Sequence, residues 1–336
     1  MNKKLFSPLF ICWDLTYRCN LKCIHCFCGE LNTEEYIHNE QIDTKRIIEI
    51  IDELEKLKIY SLEFAGGEPL LAKSFYEILN HASTKNFKIS LATNGTLIND
   101  TTVDKFKKFG ISSVQISLDG HNKDLHEYIR GRNTFYRTIE GIKKVVDSGI
   151  QVIIATVVHK KNYKYLSEIA NFIISLGVNL FRVQFILPLG MASHNEDMIM
   201  PSHIEKYEAL EKLNKNINVI ENKLKVILPC FYNKKTELEN QNSNGCGAGI
   251  LQANINPYGE ITACALLTNK DWVAGNIKDS SFEDIWRNSE VFNIWRNNYR
   301  LNVECKDCSL VDICSKGCRA MAYLNDEFKT SLCLGE

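Results

Sequence analysis

Cysteine placement constrains this chain more than any other feature. Of 336 residues 13 are cysteines, and they are bunched. Cys19, Cys23 and Cys26 follow one another as C-x3-C-x2-C, with Cys28 two residues on. Cys246, Cys264, Cys305, Cys308, Cys314, Cys318 and Cys333 form a second group, whose central block reads C-x2-C-x5-C-x3-C. A short secreted chain with such a count would be a disulfide scaffold. A long chain without a secretory leader points instead to metal or redox chemistry. Met1 to Phe10 lacks an apolar stretch with a small-residue cleavage site, and no run of 18 apolar residues occurs. A cytoplasmic protein with no membrane partner is therefore expected. The formal net charge of -1 gives nucleic acid nothing to bind.

Thiolates are soft ligands that suit zinc or iron–sulfur clusters. Structural zinc takes four closed ligands, usually as separated pairs. Three clustered cysteines suit a cubane cluster with one iron left open. Buried cysteines or part of a zinc site are the plainer alternatives for the first group. One or two structural zinc sites are the alternative for the second.

Short apolar runs alternate with amphipathic helices from Leu9 to about Leu187. The predicted strands are Phe10–Asp14, Tyr60–Phe64, Lys88–Ala92, Ser113–Leu118, Gln151–Val158 and Leu180–Ile186. Several are near-continuous apolar runs, as in parallel strands covered on both faces. Ile47, Ile51 and Leu54 share a helix face, as do Ile139, Ile142 and Val146. Gly110, Gly149 and Gly177 each stand between a helical pattern and a strand, where glycine tolerates the left-handed ending of a helix. The repeated helix–glycine–strand unit predicts an α/β fold, a partial (β/α)6 barrel over residues 1–220. Residues 221–245 read as a linker. Residues 246–336 read as a small cysteine-rich domain with a hairpin about Pro257–Tyr258–Gly259 and short helices, one capped by Ser281.

Gly66, Gly67, Glu68 and Pro69 follow the second strand, and Thr93, Asn94 and Gly95 the third. Ser117, Leu118, Asp119 and Gly120 close the fourth. All fall at the strand ends where parallel barrels place their chemistry. Together with Cys19–Cys26 and the segment His126–Gly131, they resemble the radical S-adenosylmethionine (SAM) superfamily. The resemblance covers the predicted barrel. It implies a [4Fe-4S] cluster held by Cys19, Cys23 and Cys26, with SAM on its open iron. One electron then cleaves SAM to methionine and a 5′-deoxyadenosyl radical, which takes a hydrogen atom from substrate. Glu68 and the Gly66–Pro69 backbone would meet the SAM ammonium. Arg130 would offer a planar fork to its carboxylate. Asn94 and Ser117 would bind the ribose or methionyl group, and Leu187 would pack on adenine. Taken singly, Arg130 also reads as a surface ion pair and Ser117 as a self-satisfied serine.

The second cysteine group is similar to the SPASM extension of this superfamily at all seven positions, and 274–288 also resembles it. That resemblance implies two auxiliary [4Fe-4S] clusters, three clusters in all. Cys246, Cys264 and Cys318 would hold the first, and Cys305, Cys308, Cys314 and Cys333 the second. The first is then one ligand short. Cys230 is a candidate for that place, and an open iron that binds substrate is the alternative. Cys28 and Cys230 are also candidate hydrogen-atom donors, with plain packing the other reading. Cys12 reads as packed.

A ribosomally synthesised peptide is the expected substrate, modified by cross-linking, oxidation or epimerisation. Strand one begins by about residue 9 and leaves no room for a preceding leader-binding domain, so either a separate leader-binding protein or none is expected. Flavodoxin or ferredoxin is the expected electron donor. Modification of a small molecule, cofactor or haem precursor is the alternative. A sulfatase-maturing activity fits less well, because those relatives carry an acidic residue where this chain has Ala265. A pure electron carrier would not need a SAM site.

Overall fold

The computed structural model describes residues 5–34, 42–220, 222–229, 246–267 and 270–297. Cys230 and the five cysteines from Cys305 to Cys333 lie outside the described residues. Seven strands run in chain order: β1 (Phe10–Thr16), β2 (Ser61–Gly66), β3 (Lys88–Thr93), β4 (Ser113–Ser117), β5 (Gln151–Val158), β6 (Leu180–Phe185) and β7 (Lys225–Ile227). Each pairs in parallel with the next. Helices α1 (Thr44–Lys56), α2 (Phe75–Ala82), α3 (Asp100–Lys108), α4 (Lys123–Arg130), α5 (Phe135–Asp147) and α6 (Leu166–Ser175) lie in the connections. The short α7 (Glu196–Ile199) and the longer α8 (His203–Ile220) follow β6. All six predicted barrel strands are present, with no end shifted by more than two residues. The seventh, β7, falls in the stretch read as linker and extends the parallel sheet.

Local sequence explains the helix limits. Asp43 accepts from Arg46 N at 2.7 Å to start α1, and Asn99 and Asn122 cap α3 and α4 in the same way. Gly110, Gly149 and Gly177 take positive φ where helices hand over to strands, as the sequence predicts.

The chain then crosses to the opposite edge of the sheet. Strand β8 (Gln252–Ile255) pairs in parallel with β1, and β9 (Glu260–Thr262) and β10 (Gly275–Asn276) continue antiparallel. The sheet order is β10-β9-β8-β1-β2-β3-β4-β5-β6-β7. The β8–β9 hairpin turns where Pro257–Tyr258–Gly259 predicted. Helices α9 (Phe282–Asn288) and α10 (Glu290–Asn297) follow, with Ser281 Oγ accepting from Asp284 N at 3.1 Å. Among the described residues no helix is long and apolar enough to cross a membrane.

One face of the sheet carries the core. Ile11 and Trp13, Leu62 and Phe64, Val114 and Ile116, and Phe181 and Val183 are all buried against helices. The same core takes in Ile255, Ile261, Phe282, Trp286 and Trp295. The other face differs from the expectation of strands covered on both sides. Cys12, Glu63, Ser90, Gln115 and Arg182 alternate with the core residues and stay half-buried. The first face is filled by apolar side chains, and the second, concave face carries polar ones.

Candidate active site

The candidate residues gather beyond the C-terminal ends of β1 to β6, where the sheet's connections form one rim. The β2 turn sits hard against the β1 loop. A Cβ on Gly66 would lie 2.3 Å from Thr16 O, and one on Gly67 would lie 2.4 Å from Arg18 O. Gly66 also has φ +120. Only glycine permits this approach. It is sealed by Gly67 N and Glu68 N, which donate to Thr16 O and Arg18 O at 2.7 Å each.

Glu68 is fully buried. Its carboxylate accepts from Thr93 Oγ1 at 2.8 Å, from Asn94 N at 3.0 Å and from Leu70 N at 3.3 Å. Burial pushes the carboxyl up to about 7, partly offset by these donors. The side chain is thus taken up in tying the β2 turn to the end of β3, and Pro69 opens the short turn that follows. Asn94 Nδ2 donates to Asn20 Oδ1 at 3.0 Å and approaches Cys19 Sγ at 3.9 Å. The third strand's end is therefore tied to the cysteine loop. Ser117 and Leu187 stand half-buried at the ends of β4 and β6.

Cys19, Cys23 and Cys26 line the loop after β1. Burial raises Cys19 to about 12 and Cys23 to about 11, although the Arg130 guanidinium beside Cys23 works against it. Cys26 goes the other way because Cys28 Sγ lies 3.6 Å off and hydrogen-bonds to it. Among the described residues no three metal-ligating side chains converge on one ion position. A cubane holds its thiolates apart on separate irons, so three thiols spread along one loop, with a cation beside them, fit a cluster rather than an ion.

Arg130 ends α4 and donates from Nε to Asp119 Oδ2 at 2.5 Å. Asp119 is fully buried, and its other oxygen accepts from Val157 N at 2.7 Å. Burial would raise Asp119, but Arg130, with His25 and His126 nearby, holds it down to about 2. For Arg130, burial is outweighed by Asp119 and by the thiols of Cys23 and Cys26, so it stays charged. The surface ion pair considered from the sequence is therefore a buried one, and it adjoins the cysteine loop, where Cys23 Sγ approaches Arg130 O at 3.9 Å.

Several residues here were missed by sequence reasoning. Asp119 lies within the Ser117–Gly120 stretch, which by itself marks only a strand end. An acid at a strand end and an arginine at the end of the next helix was the signal. His25, His126 and His159 surround the Asp119–Arg130 pair, and burial lowers them to about 3, 4 and 4. Each has one ring nitrogen buried without a partner among the described residues. Asp14 and Asn254 on the concave face were also missed. Cys246 and Cys264 flank the β8–β9 hairpin, half-buried against the core.

Residues 13–173 match the family model of the Radical SAM superfamily, and residues 246–309 match that of the SPASM iron–sulfur cluster-binding domain. The mycofactocin maturase MftC of Mycolicibacterium smegmatis is 27% identical over 95% of this chain and 80% of its own length. The AdoMet-dependent heme synthase of Methanosarcina barkeri is 28% identical over 94% of this chain and 93% of its own. Streptococcus suis SuiB bound to S-adenosylmethionine shares the fold, with a TM-score of 0.79 at 20% identity over 99% of this chain and 79% of SuiB. The two matched domains imply [4Fe-4S] clusters and SAM. The chain thus belongs to the radical SAM superfamily, with a SPASM iron–sulfur cluster-binding domain after its radical SAM domain.

Proposed function

We propose that this chain cleaves SAM reductively and uses the radical to modify a ribosomally synthesised peptide. The observation that carries the first half is the rim itself. A three-thiol loop, a glycine-tight β2 turn and a buried Arg130–Asp119 pair occupy one end of one sheet. Bound there, an iron–sulfur cluster and SAM supply one-electron cleavage to methionine and a 5′-deoxyadenosyl radical that takes hydrogen from substrate.

The chain's own residues supply the holding. Cys19, Cys23 and Cys26 would hold the cluster, with SAM beside it. The Gly66–Glu68 backbone takes the SAM ammonium, because the Glu68 carboxylate is already spent on Thr93, Asn94 and Leu70. Arg130, oriented by Asp119, takes the carboxylate. Asn94, Ser117 and Leu187 take the remaining groups. Two auxiliary clusters bring the count to three, one on Cys246, Cys264 and Cys318, the other on Cys305, Cys308, Cys314 and Cys333. Cys230 is the proposed extra ligand of the first. Flavodoxin or ferredoxin supplies the electron.

The peptide half is supported by the likeness to a mycofactocin maturase and to SuiB, also solved bound to precursor peptide SuiA. The relation to a heme synthase favours a second reading, modification of a tetrapyrrole or other small molecule. The test is anaerobic incubation of reconstituted protein with dithionite and SAM. It should yield 5′-deoxyadenosine, and Cys23→Ala should abolish it. Co-expression with a short peptide encoded beside this chain's gene should then shift the peptide's mass. An unmodified peptide alongside a modified porphyrin would favour the second reading.

A further inference from the structure

The concave face holds a polar tract that the SAM site does not use. Its residues alternate with the core positions of their strands. Cys12 and Asp14 come from β1, Glu63 from β2, Gln115 from β4, Arg182 from β6 and Asn254 from β8. Asn254 stands directly opposite Cys12 in the β1–β8 register, and Asp14 lies level with Ala65, the residue before Gly66. The tract therefore runs from beneath the β2 turn toward the hairpin that ends at Cys264.

Most of the tract is internally satisfied. Arg182 Nη1 donates to Gln115 Oε1 at 2.6 Å, and its charge also faces Glu63. The Cys12 thiol donates to Glu63. Asp14 and Asn254 are the exception. Both are nearly closed off, at 2% and 3% exposure, and meet through a single hydrogen bond, Asn254 Nδ2 to Asp14 Oδ2 at 3.3 Å. Asn254 Oδ1 is buried with no partner among the described residues. A buried acceptor left unmade is costly, and it is retained most economically where a ligand completes it. Among the described residues no cation is set against Asp14. Burial is the main cause that pushes its carboxyl up to about 7, and Glu63 adds to it. The tract thus offers two acceptors, while its arginine is already engaged.

Resting on the SAM-cleavage reading above, we propose that Asp14 and Asn254 form a substrate-binding pair that accepts N–H donors of a peptide. The same pair disfavours the carboxylate side chains of a tetrapyrrole. Asn254 Oδ1 takes one amide N–H and the Asp14 carboxyl takes a second donor. The peptide's target carbon is then held against the concave face below the SAM site.

Hydrogen abstraction itself provides the readout. Reconstituted holoprotein is given SAM and dithionite in ordinary water with one of two probes. The first is a tryptic digest of a uniformly deuterated protein, whose remaining deuterium is carbon-bound. The second is perdeuterated succinate. The quantity measured is the fraction of 5′-deoxyadenosine that gains one deuterium. The digest should label the product and succinate should not. Asp14→Asn and Asn254→Ala should each lower the labelled fraction by about tenfold, the size expected from losing a hydrogen bond to a charged or buried acceptor. Because the fraction is taken per cleavage event, a variant that loses iron does not mimic the effect. Label from the digest that is equal in wild type and both variants would overturn the pair's role. Label from succinate exceeding that from the digest would overturn the choice of substrate class. Absence of 5′-deoxyadenosine altogether would instead remove the SAM-cleavage reading on which the pair rests.

Discussion

At the scale of single residues, the site turns on a buried ion pair. Removing one partner of such a pair leaves the other charge unpaired and costs about 3–5 kcal/mol. Asp119→Asn should therefore lower Tm and also weaken SAM binding, because it frees the guanidinium that Asp119 aims. Arg130→Ala should weaken SAM binding more than it lowers reconstituted iron, since Arg130 meets ligand and not metal. Equal losses of iron and SAM affinity in Arg130→Ala would make the residue structural. The acid limb of stability gives an independent check. Asp119 is held at about 2 against an ordinary value of 3.8. Its stabilisation is thus full above pH 4 and is lost as pH falls through 2. The shift corresponds to about 2 kcal/mol. Thermal melts of the apoprotein between pH 5 and 2 should fall more steeply for wild type than for Asp119→Asn, and parallel curves would sink the assignment. Arg130 was legible in the sequence because the segment His126–Gly131 carries it. Its partner was not, because the pairing bridges a strand end and a helix end that sequence alone does not bring together.

At the scale of elements, the β1 loop and the β2 turn meet with no room for a side chain between them. Gly67 carries no positive φ, so Gly67→Ala tests packing alone, with its new Cβ at 2.4 Å from Arg18 O. The backbone must separate, and the cysteine loop moves with it. Gly67→Ala should lose SAM-dependent 5′-deoxyadenosine formation by at least about tenfold and lower Tm, overpacking of this kind costing about 1–3 kcal/mol. Unchanged turnover would show that the two loops need not touch. The strands themselves were readable to within two residues, because apolar runs ended by glycine carry a strong signal. What the runs concealed was their two-sidedness. Cys12, Asp14, Glu63, Gln115 and Arg182 sit at every second position, the period that marks a half-buried strand. Apolar neighbours such as Ile153 and Val157 on β5 masked that alternation. The polar face, and with it Asp14, was therefore hidden behind a pattern that also fits strands covered on both sides.

At the scale of the molecule, the first part of the cysteine-rich segment, residues 252–276, is built into the barrel's own sheet. Phe10 N donates to Leu251 O at 3.1 Å, and residues 10–13 pair with 252–255. Arg46 of α1 donates to Ile277 O at 2.6 Å, and Glu53 of α1 accepts from Glu283 N at 3.0 Å. Trp286 Nε1 reaches Leu5 O at 3.2 Å. Metal bookkeeping tests one consequence of the cysteine pattern. Three four-iron clusters require about 12 iron per chain, of which about four should vanish when Cys19, Cys23 and Cys26 are all replaced by alanine. Zinc in place of iron in anaerobically purified protein would sink the auxiliary clusters. Deletion tests the sheet. A chain ending at residue 229 would expose the β1 edge and uncover the core around Ile11 and Trp13. It would forfeit Ile255, Ile261, Phe282, Trp286 and Trp295, each worth about 1.5–3 kcal/mol when fully buried. Their sum is comparable to the whole stability of an ordinary domain, about 5–15 kcal/mol. The truncated chain should therefore be insoluble or bind ANS without a cooperative melt, whatever iron its first three cysteines still hold. A soluble fragment melting cooperatively at the full-length Tm would mean that β1 to β7 stand alone and that the second cysteine group is an independent appendage.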